Sequence, residues 1–395
     1  MKISFVFSLV SLYIMLCSAQ EASEKNIQSA SSPTKTPPYH KKSGEATYYY
    51  QNGMSSDILR RIFRQINRFT CLNFKEKKEG PVKEDIGINF EVTEKENEIK
   101  LSVDPQNPTT VYLKKDVYDN YKNLSFYIGQ ALNIIPEVGR HDRDSDVTVN
   151  SSHIKPEFEK YYKQTKKDDI TYLKDTEFDF GSPMFFNPYF GSVGNGKQTY
   201  TVNLYKAYQP SFGNGKVFRH NDYKHMFYYY CDSVSTTINC EYGGYHPPTS
   251  EFQKKCKCPE YLTGEKCTDF VPNTSTQCPS QQNLVAEEKK SNLEITGISG
   301  SCHYKIKSKN NGKKVKVTVE KLEYENSQCE NSNLYLEVLV REDKGAKGVY
   351  LCKNSSSVEL PALSSEVFVV FNGNSKYNYL NISYEEVNDD KSKNL

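Results

Sequence analysis

The chain is expected to be an α+β protein followed by a small disulfide-rich segment and an all-β unit, and three patterns in its 395 residues predict that order. First, residues 45–232 carry two apolar stripes at helical spacing, Ile58, Ile62, Ile66 and Phe69, then Leu124, Ile128, Leu132 and Ile135. That repeat marks helices turned towards a core. Second, four cysteines crowd into 240–267, and a segment of that size depends on bridges because its core is too small. Third, beyond Cys278, runs such as Lys314–Val319 and Val367–Phe371 read as alternating strands separated by Gly- and Asn-rich turns, the pattern of an all-β unit.

Residues 1–19 carry one lysine, an apolar run from Ile3 to Leu16, and the small residues Ser18 and Ala19. They read as a secretory signal peptide cleaved near Ala19. Residues 20–44, rich in Ser, Thr, Lys and Pro, read as a flexible leader or short propeptide with a dibasic pair at Lys41-Lys42. No later segment approaches the roughly 18 apolar residues of a membrane span, so a secreted, extracellular protein is expected. Sequons at Asn123, Asn150, Asn273, Asn354 and Asn381 are compatible with that route.

At 36% hydrophobic residues the chain is long enough for two or three domains. A net charge of +2 and the lack of any basic stripe argue against nucleic acid as a partner. Of eleven cysteines, Cys17 leaves with the signal, and the remaining ten suffice for five bridges in an oxidising compartment. No thiol is left over for a nucleophile or a thiolate metal site.

The most informative stretch is Phe126 to Asp144, FYIGQALNIIPEVGRHDRD. Its tail, Glu137, Arg140, Asp142, Arg143 and Asp144, resembles the end of the astacin signature H-E-x-x-H-x-x-G-x-x-H-E-x-x-R-x-D-R-D. The resemblance implies a metzincin-type, two-lobed α+β domain descended from a secreted zinc endopeptidase. In that register Phe126, Gln130 and Pro136 occupy the three zinc-ligand positions, Tyr127 that of the catalytic glutamate and Asn133 that of the turn glycine. Phe and Pro have no lone pair to donate, and a neutral amide oxygen is a poor partner for zinc. A phenol of pKa about 10 cannot serve as the base at neutral pH. Asn133 differs in kind, since asparagine tolerates the left-handed backbone that the turn needs.

Other elements agree in order. Thr70, Cys71 and Phe74 follow the first helix like the family's T-C-x-x-F element. Phe180 to Phe186 resembles its Met-turn, with Met184 lying 48 residues beyond Pro136 and Phe186 in place of the turn's tyrosine. Asn221-Asp222-Tyr223, then Tyr230-Cys231, resemble the last helix, whose cysteine bridges back to the Cys71 position. The carboxylate at the Glu137 position receives the new N-terminus in active members; here it is either retained architecture or a surface carboxylate.

The C-x-C-P then x-G-x-x-C pattern from Cys256 to Cys267 resembles the second half of an EGF-like module, 233–268, implying bridges Cys240–Cys256 and Cys258–Cys267. After a linker, 269–277, residues 278–388 resemble a CUB β-sandwich with local bridges Cys278–Cys302 and Cys329–Cys352, followed by a polar tail, 389–395. Leu334 stands before Tyr335-Leu336-Glu337-Val338 where calcium-binding members have an aspartate, so calcium is not expected.

The reading is a homologue without zinc or other cofactor that acts by binding extracellular proteins or peptides through its cleft or CUB surface. Two alternatives stand beside it: an active zinc endopeptidase with displaced ligands, His141 or His153 with Glu137, and a decoy that occupies the substrates or inhibitors of active relatives.

Overall fold

The computed structural model describes residues 45–54, 56–102, 107–205, 218–231, 238–325 and 334–389. The expected signal and leader, Cys329 and all but the first residue of the tail lie outside them.

The first lobe is a five-stranded sheet. Its strands are β1 (Glu45–Tyr50), β2 (Asn73–Glu76), β3 (Gly87–Val92), β4 (Glu98–Lys100) and β5 (Thr109–Leu113), in the order β2-β1-β3-β5-β4. Neighbours pair in parallel except the edge strand β4. Parallel pairs need crossovers that cover the sheet, and α1 (Ser56–Phe69) is the crossover from β1 to β2. It buries Ile58, Leu59, Ile62, Phe63, Ile66 and Phe69, and Phe63 stacks on Tyr48 at 4.1 Å and meets Phe74 at 4.9 Å. Each such side chain contributes about 1.5–3 kcal/mol relative to exposure.

The short α2 (Lys115–Tyr118) leads into α3 (Tyr121–Ala131). The expected stripe holds through Leu124, Ile128 and Leu132, all fully buried. Ile135 lies beyond the helix, which stops at Ala131 because Asn133 takes φ +58° and a proline follows at 136. The second lobe then runs through short 3₁₀ turns, the ribbon β6 (Val147–Val149) with β7 (Tyr200–Val202), and α4 (His220–Tyr230). Despite its polar composition α4 is buried on nearly every side. Asp222 caps it by accepting from Arg219 N at 2.7 Å, and a disulfide between Cys71 and Cys231 ties its end to the end of α1.

Residues 238–270 are held by disulfides Cys240–Cys256 and Cys258–Cys267 and by a ribbon of β8 (Leu262–Thr263) with β9 (Asp269–Phe270). The remainder is two sheets. One, ordered β10-β12-β17-β14-β15, contains β10 (Asn283–Ala286), β12 (Ser299–Ser308), β14 (Tyr335–Leu339), β15 (Val349–Leu351) and β17 (Glu366–Asn374). The other, ordered β11-β18-β13-β16, contains β11 (Ser291–Thr296), β13 (Lys313–Glu323), β16 (Ser355–Glu359) and β18 (Tyr379–Asn388). A disulfide joins Cys278 to Cys302, and Cys352 is also disulfide-bonded.

Val315, Val317 and Val319 alternate inward on β13 as expected. Val367 to Phe371 do not alternate: all five are buried. The outer face of β17 is covered by the disulfide-bonded segment, where Phe368 and Val370 pack with Tyr261, Leu262, Cys256 and Cys267. A strand buried on both faces reads as a continuous apolar run.

The β14–β15 connection docks on the second lobe through polar groups. Arg341 pairs with Asp146 and Glu177, Asp343 accepts from Asn221 Nδ2 at 2.7 Å and Glu177 N at 3.0 Å, and Lys347 N donates to Asp179 Oδ1 at 3.0 Å.

Candidate functional site

The site lies at α3 and the turn after it. Asn120 caps the helix by accepting from Asn123 N at 3.0 Å. At the other end, Asn133 N donates to Gln130 O and Ile134 N to Gly129 O, both at 2.9 Å, closing the left-handed turn. The Asn133 amide also donates to Tyr229 Oη at 2.7 Å. Met184 packs directly under α3: a Cβ on Gly129 would stand 2.3 Å from its Sδ, so a larger residue there would force the methionine side chain to shift. Glu137 N donates to Met184 O at 3.0 Å, which joins the turn to the methionine segment.

Phe126 is buried in an aromatic cluster, meeting Phe186 at 5.6 Å, Phe190 at 5.4 Å and Tyr161 at 5.9 Å. Tyr127 is buried beside it, and burial pushes its phenol well above the usual value. The Gln130 amide donates to Ile134 O at 2.6 Å. The ring of Pro136 offers no donor atom. Between Phe126 and Pro136 the chain holds no imidazole, thiolate or carboxylate, and among the described residues no group of three or more His, Cys, Asp or Glu is placed to hold a metal. These side chains do not fit a zinc ion.

Among the described residues His141 and His153 do not form with Glu137 a group of three placed to hold a metal. His153 Nδ1 faces Gln198 O at 2.8 Å, and Glu137 is directed elsewhere.

Glu137 is no surface carboxylate. It is 3% exposed, lies 3.7 Å from Arg140, and accepts from Asp179 N at 3.1 Å. Arg140 forks onto Asp142 with two bonds of 2.9 Å and reaches Thr176 O at 2.8 Å, while Arg143 donates to Val138 O and Tyr162 O. The acidic and basic tail of the motif is thus a brace for the turn. The residues that sequence reasoning missed are Asp179 and the charged role of Asp222, whose Oδ1 accepts from Ser182 Oγ at 2.5 Å.

Three buried carboxylates, Glu137, Asp179 and Asp222, with Asp142 at the rim, share two guanidiniums, Arg140 and Arg219, leaving two negative charges over. Burial pushes Glu137 up to about 8, with Arg140 opposing and Asp179 adding to the shift. Burial and then Asp179 push Asp222 up to about 7. The cluster therefore holds a proton at neutral pH that the unfolded chain does not. Because these folded values lie above the unfolded ones, their contribution to stability is full below about pH 4 and is lost as pH rises through 7 to 8. Between pH 6 and 8 stability is expected to fall by up to about 1.4 kcal/mol per pH unit for one proton. Glu137→Gln, which removes one of the titrating carboxyls, should flatten that slope in urea titrations; an unchanged slope would refute the bound proton.

Beside α3 lies a cleft of about 590 Å³ walled by Phe126, Tyr127, Phe186 and Phe190, with Asn120 and Lys122 at its polar side. Asn123, also on this cleft, is exposed, as is Asn354; Asn150, Asn273 and Asn381 are half-buried.

A parallel sheet with its helix, a second lobe of turns and a buried helix, and a left-handed turn above a methionine define an α+β module of the metzincin peptidase class. Residues 35–231 match the Astacin family of peptidases, so the chain carries an astacin-family domain. Its curated relatives are zinc metalloproteinases. Zinc metalloproteinase nas-36 of Haemonchus contortus is 30% identical over 173 residues, covering 43% of this chain and 27% of that protein. Zinc metalloproteinase nas-34 of Caenorhabditis elegans is 26% identical over 268 residues, covering 66% and 42%. Against these two relatives the match spans 27% and 42% of their lengths.

Two solved structures are also similar. The medaka hatching enzyme HCE-1, a zinc-protease, shares 18% identity at a TM-score of 0.36, covering 47% of this chain and 90% of that one. The CUB1-EGF-CUB2 segment of human MASP-1/3 shares 13% at 0.23, covering 38% and 55%.

Proposed function

We propose that this chain is a secreted, non-catalytic member of the astacin family that acts by binding an extracellular protein or peptide in the cleft beside α3. The observation that carries this reading is the aromatic packing of Phe126: in the register set by Glu137, Arg140, Asp142, Arg143 and Asp144 it stands at the first zinc-ligand position, and its ring is buried against Phe186 and Phe190. Gln130 and Pro136 stand at the other two ligand positions, Tyr127 at the base and Phe186 at the Met-turn tyrosine. The aromatic wall supplies apolar contact area, and the polar side of the cleft supplies hydrogen-bonding groups that fix orientation, the usual composition of a binding pocket.

In the same reading 233–268 is an EGF-like module and 278–388 a CUB domain, both serving recognition, with Cys329 bonded to Cys352. No zinc, calcium or other cofactor takes part.

The test is the zinc content of the natively secreted protein after exposure to zinc and dialysis. The expected result is far less than one zinc per chain, together with no chelator-sensitive cleavage of unstructured substrates. Stoichiometric zinc with chelator-sensitive proteolysis would overturn the proposal.

A further inference from the structure

A second cavity of about 590 Å³ lies where α1, the start of α4, the disulfide-bonded segment and the β14–β15 connection meet. Part of its wall is aromatic, made by Phe69, Tyr121, Phe218, Tyr223 and Tyr261. Six charged side chains face it besides His220: Arg61, Arg219, Lys257 and Lys344 against Glu260 and Glu337.

Two of these are engaged by the fold itself. Glu337 accepts from Tyr261 Oη with one oxygen and from Gly348 N at 2.9 Å with the other. Lys344 is buried and donates to Glu366 O at 2.6 Å and Ser364 Oγ at 3.2 Å. Of the three remaining cations, Arg219 is ion-paired within the fold, which leaves Arg61 and Lys257. Arg219 is 14% exposed at the side chain, its nearest carboxylates are Glu260 at 3.8 Å and Asp179 at 3.9 Å, and its Nε is buried with no hydrogen-bond acceptor among the described residues. Arg61 is exposed and rests 5.7 Å from the Tyr121 ring, without a carboxylate in salt-bridge range among the described residues. Lys257 sits 5.0 Å from the Phe69 ring, and its ammonium donates to Cys258 O at 2.8 Å. Burial holds that ammonium down at about 8, a cost that a bound anion relieves.

We propose that this junction cavity is a binding site for an acidic peptide segment that carries aromatic or aliphatic side chains. The carboxylate lies against Arg61 and Lys257, and the apolar side chains lie on the aromatic wall. A bare inorganic anion would leave that wall in water. A sulfated glycan, bound mainly through charge, would find two available cations beside Glu260 and a surface suited to rings rather than to sulfates. The site does not depend on the cleft beside α3 or on the absence of zinc, and it stands whether or not the domain is catalytic.

The test uses the full secreted chain and anilinonaphthalene sulfonate, an aromatic sulfonate, with its uncharged parent N-phenyl-1-naphthylamine as control. The sulfonate is expected to bind saturably at one site and to be displaced by an acetylated peptide alternating glutamate and phenylalanine. Arg61→Glu with Lys257→Glu should weaken sulfonate and peptide binding by at least about tenfold while leaving the circular dichroism and the uncharged dye unchanged. Arg61→Glu alone, at an exposed position, should give a smaller loss in the same direction. Absence of saturable binding, equal binding by the charge-reversed chain, or displacement by a heparin tetrasaccharide and not by the peptide would each overturn the proposal.

Discussion

Replacing Arg140 by methionine is expected to destabilise the astacin-family domain by about 3–5 kcal/mol at pH 9, where Glu137 is ionised, the loss typical when one partner of a buried ion pair is removed. Arg140 is 1% exposed and is the nearest guanidinium to Glu137, which is itself 3% exposed. Without it, Glu137, Asp179 and Asp222 face Arg219 alone, and Thr176 O loses its donor. The denaturant midpoint should drop with little change in the slope m, which marks a loss of stability rather than a change in surface exposed. The loss should shrink at pH 5, where the carboxyls, pushed up to about 7 and 8, are protonated in the folded protein. At pH 9 Glu137→Gln in the same chain should recover part of it, because the uncompensated charge is then the main penalty. Additive losses in the double variant would mean that the two side chains act separately.

That prediction rests on groups that the sequence only half revealed. The spacing of Ile58, Ile62, Ile66 and Phe69 marked α1 because a helix's buried face is written within one turn-by-turn repeat, and the same holds for Leu124, Ile128 and Leu132. Asn133 was legible for a comparable reason: its left-handed φ of +58° is a property of the residue and its immediate turn. Glu137 was not, since nothing local distinguishes a buried carboxylate from a solvated one. Its burial depends on Arg140 close by and on Asp179 N far along the chain.

The polar seam of Asp146, Asn221, Arg341 and Asp343 lies further out of reach, joining residues 122 to 195 positions apart. No periodicity encodes a contact of that range. The run Val367–Phe371 shows the same limit in reverse: its apolar content announced a strand, but the cover over its second face comes from Tyr261 and Leu262, in a segment with almost no core of its own.

Phe126→His is the substitution that most sharply separates a packing helix from a metal-binding one. If Phe126 is a core residue, the imidazole forfeits its contacts with Phe186, Phe190 and Tyr161 and buries polar nitrogens among rings, a loss comparable to large-to-small core changes of about 3–5 kcal/mol. Phe126→Leu, which keeps the apolar surface and nearly the volume, should cost less than about 1.5 kcal/mol. The histidine variant should also gain no zinc, because the Gln130 amide is turned to Ile134 O and Pro136 has no donor, leaving one imidazole where tetrahedral binding needs at least three protein ligands. Thermal unfolding with and without zinc reads both effects together, since a metal that binds only the folded chain raises the midpoint with concentration. A histidine variant as stable as the parent and stabilised further by zinc would show that the aromatic cluster is permissive and that a metal site persists beneath it. A destabilised variant indifferent to zinc would identify Phe126 as a residue that replaced coordination with packing.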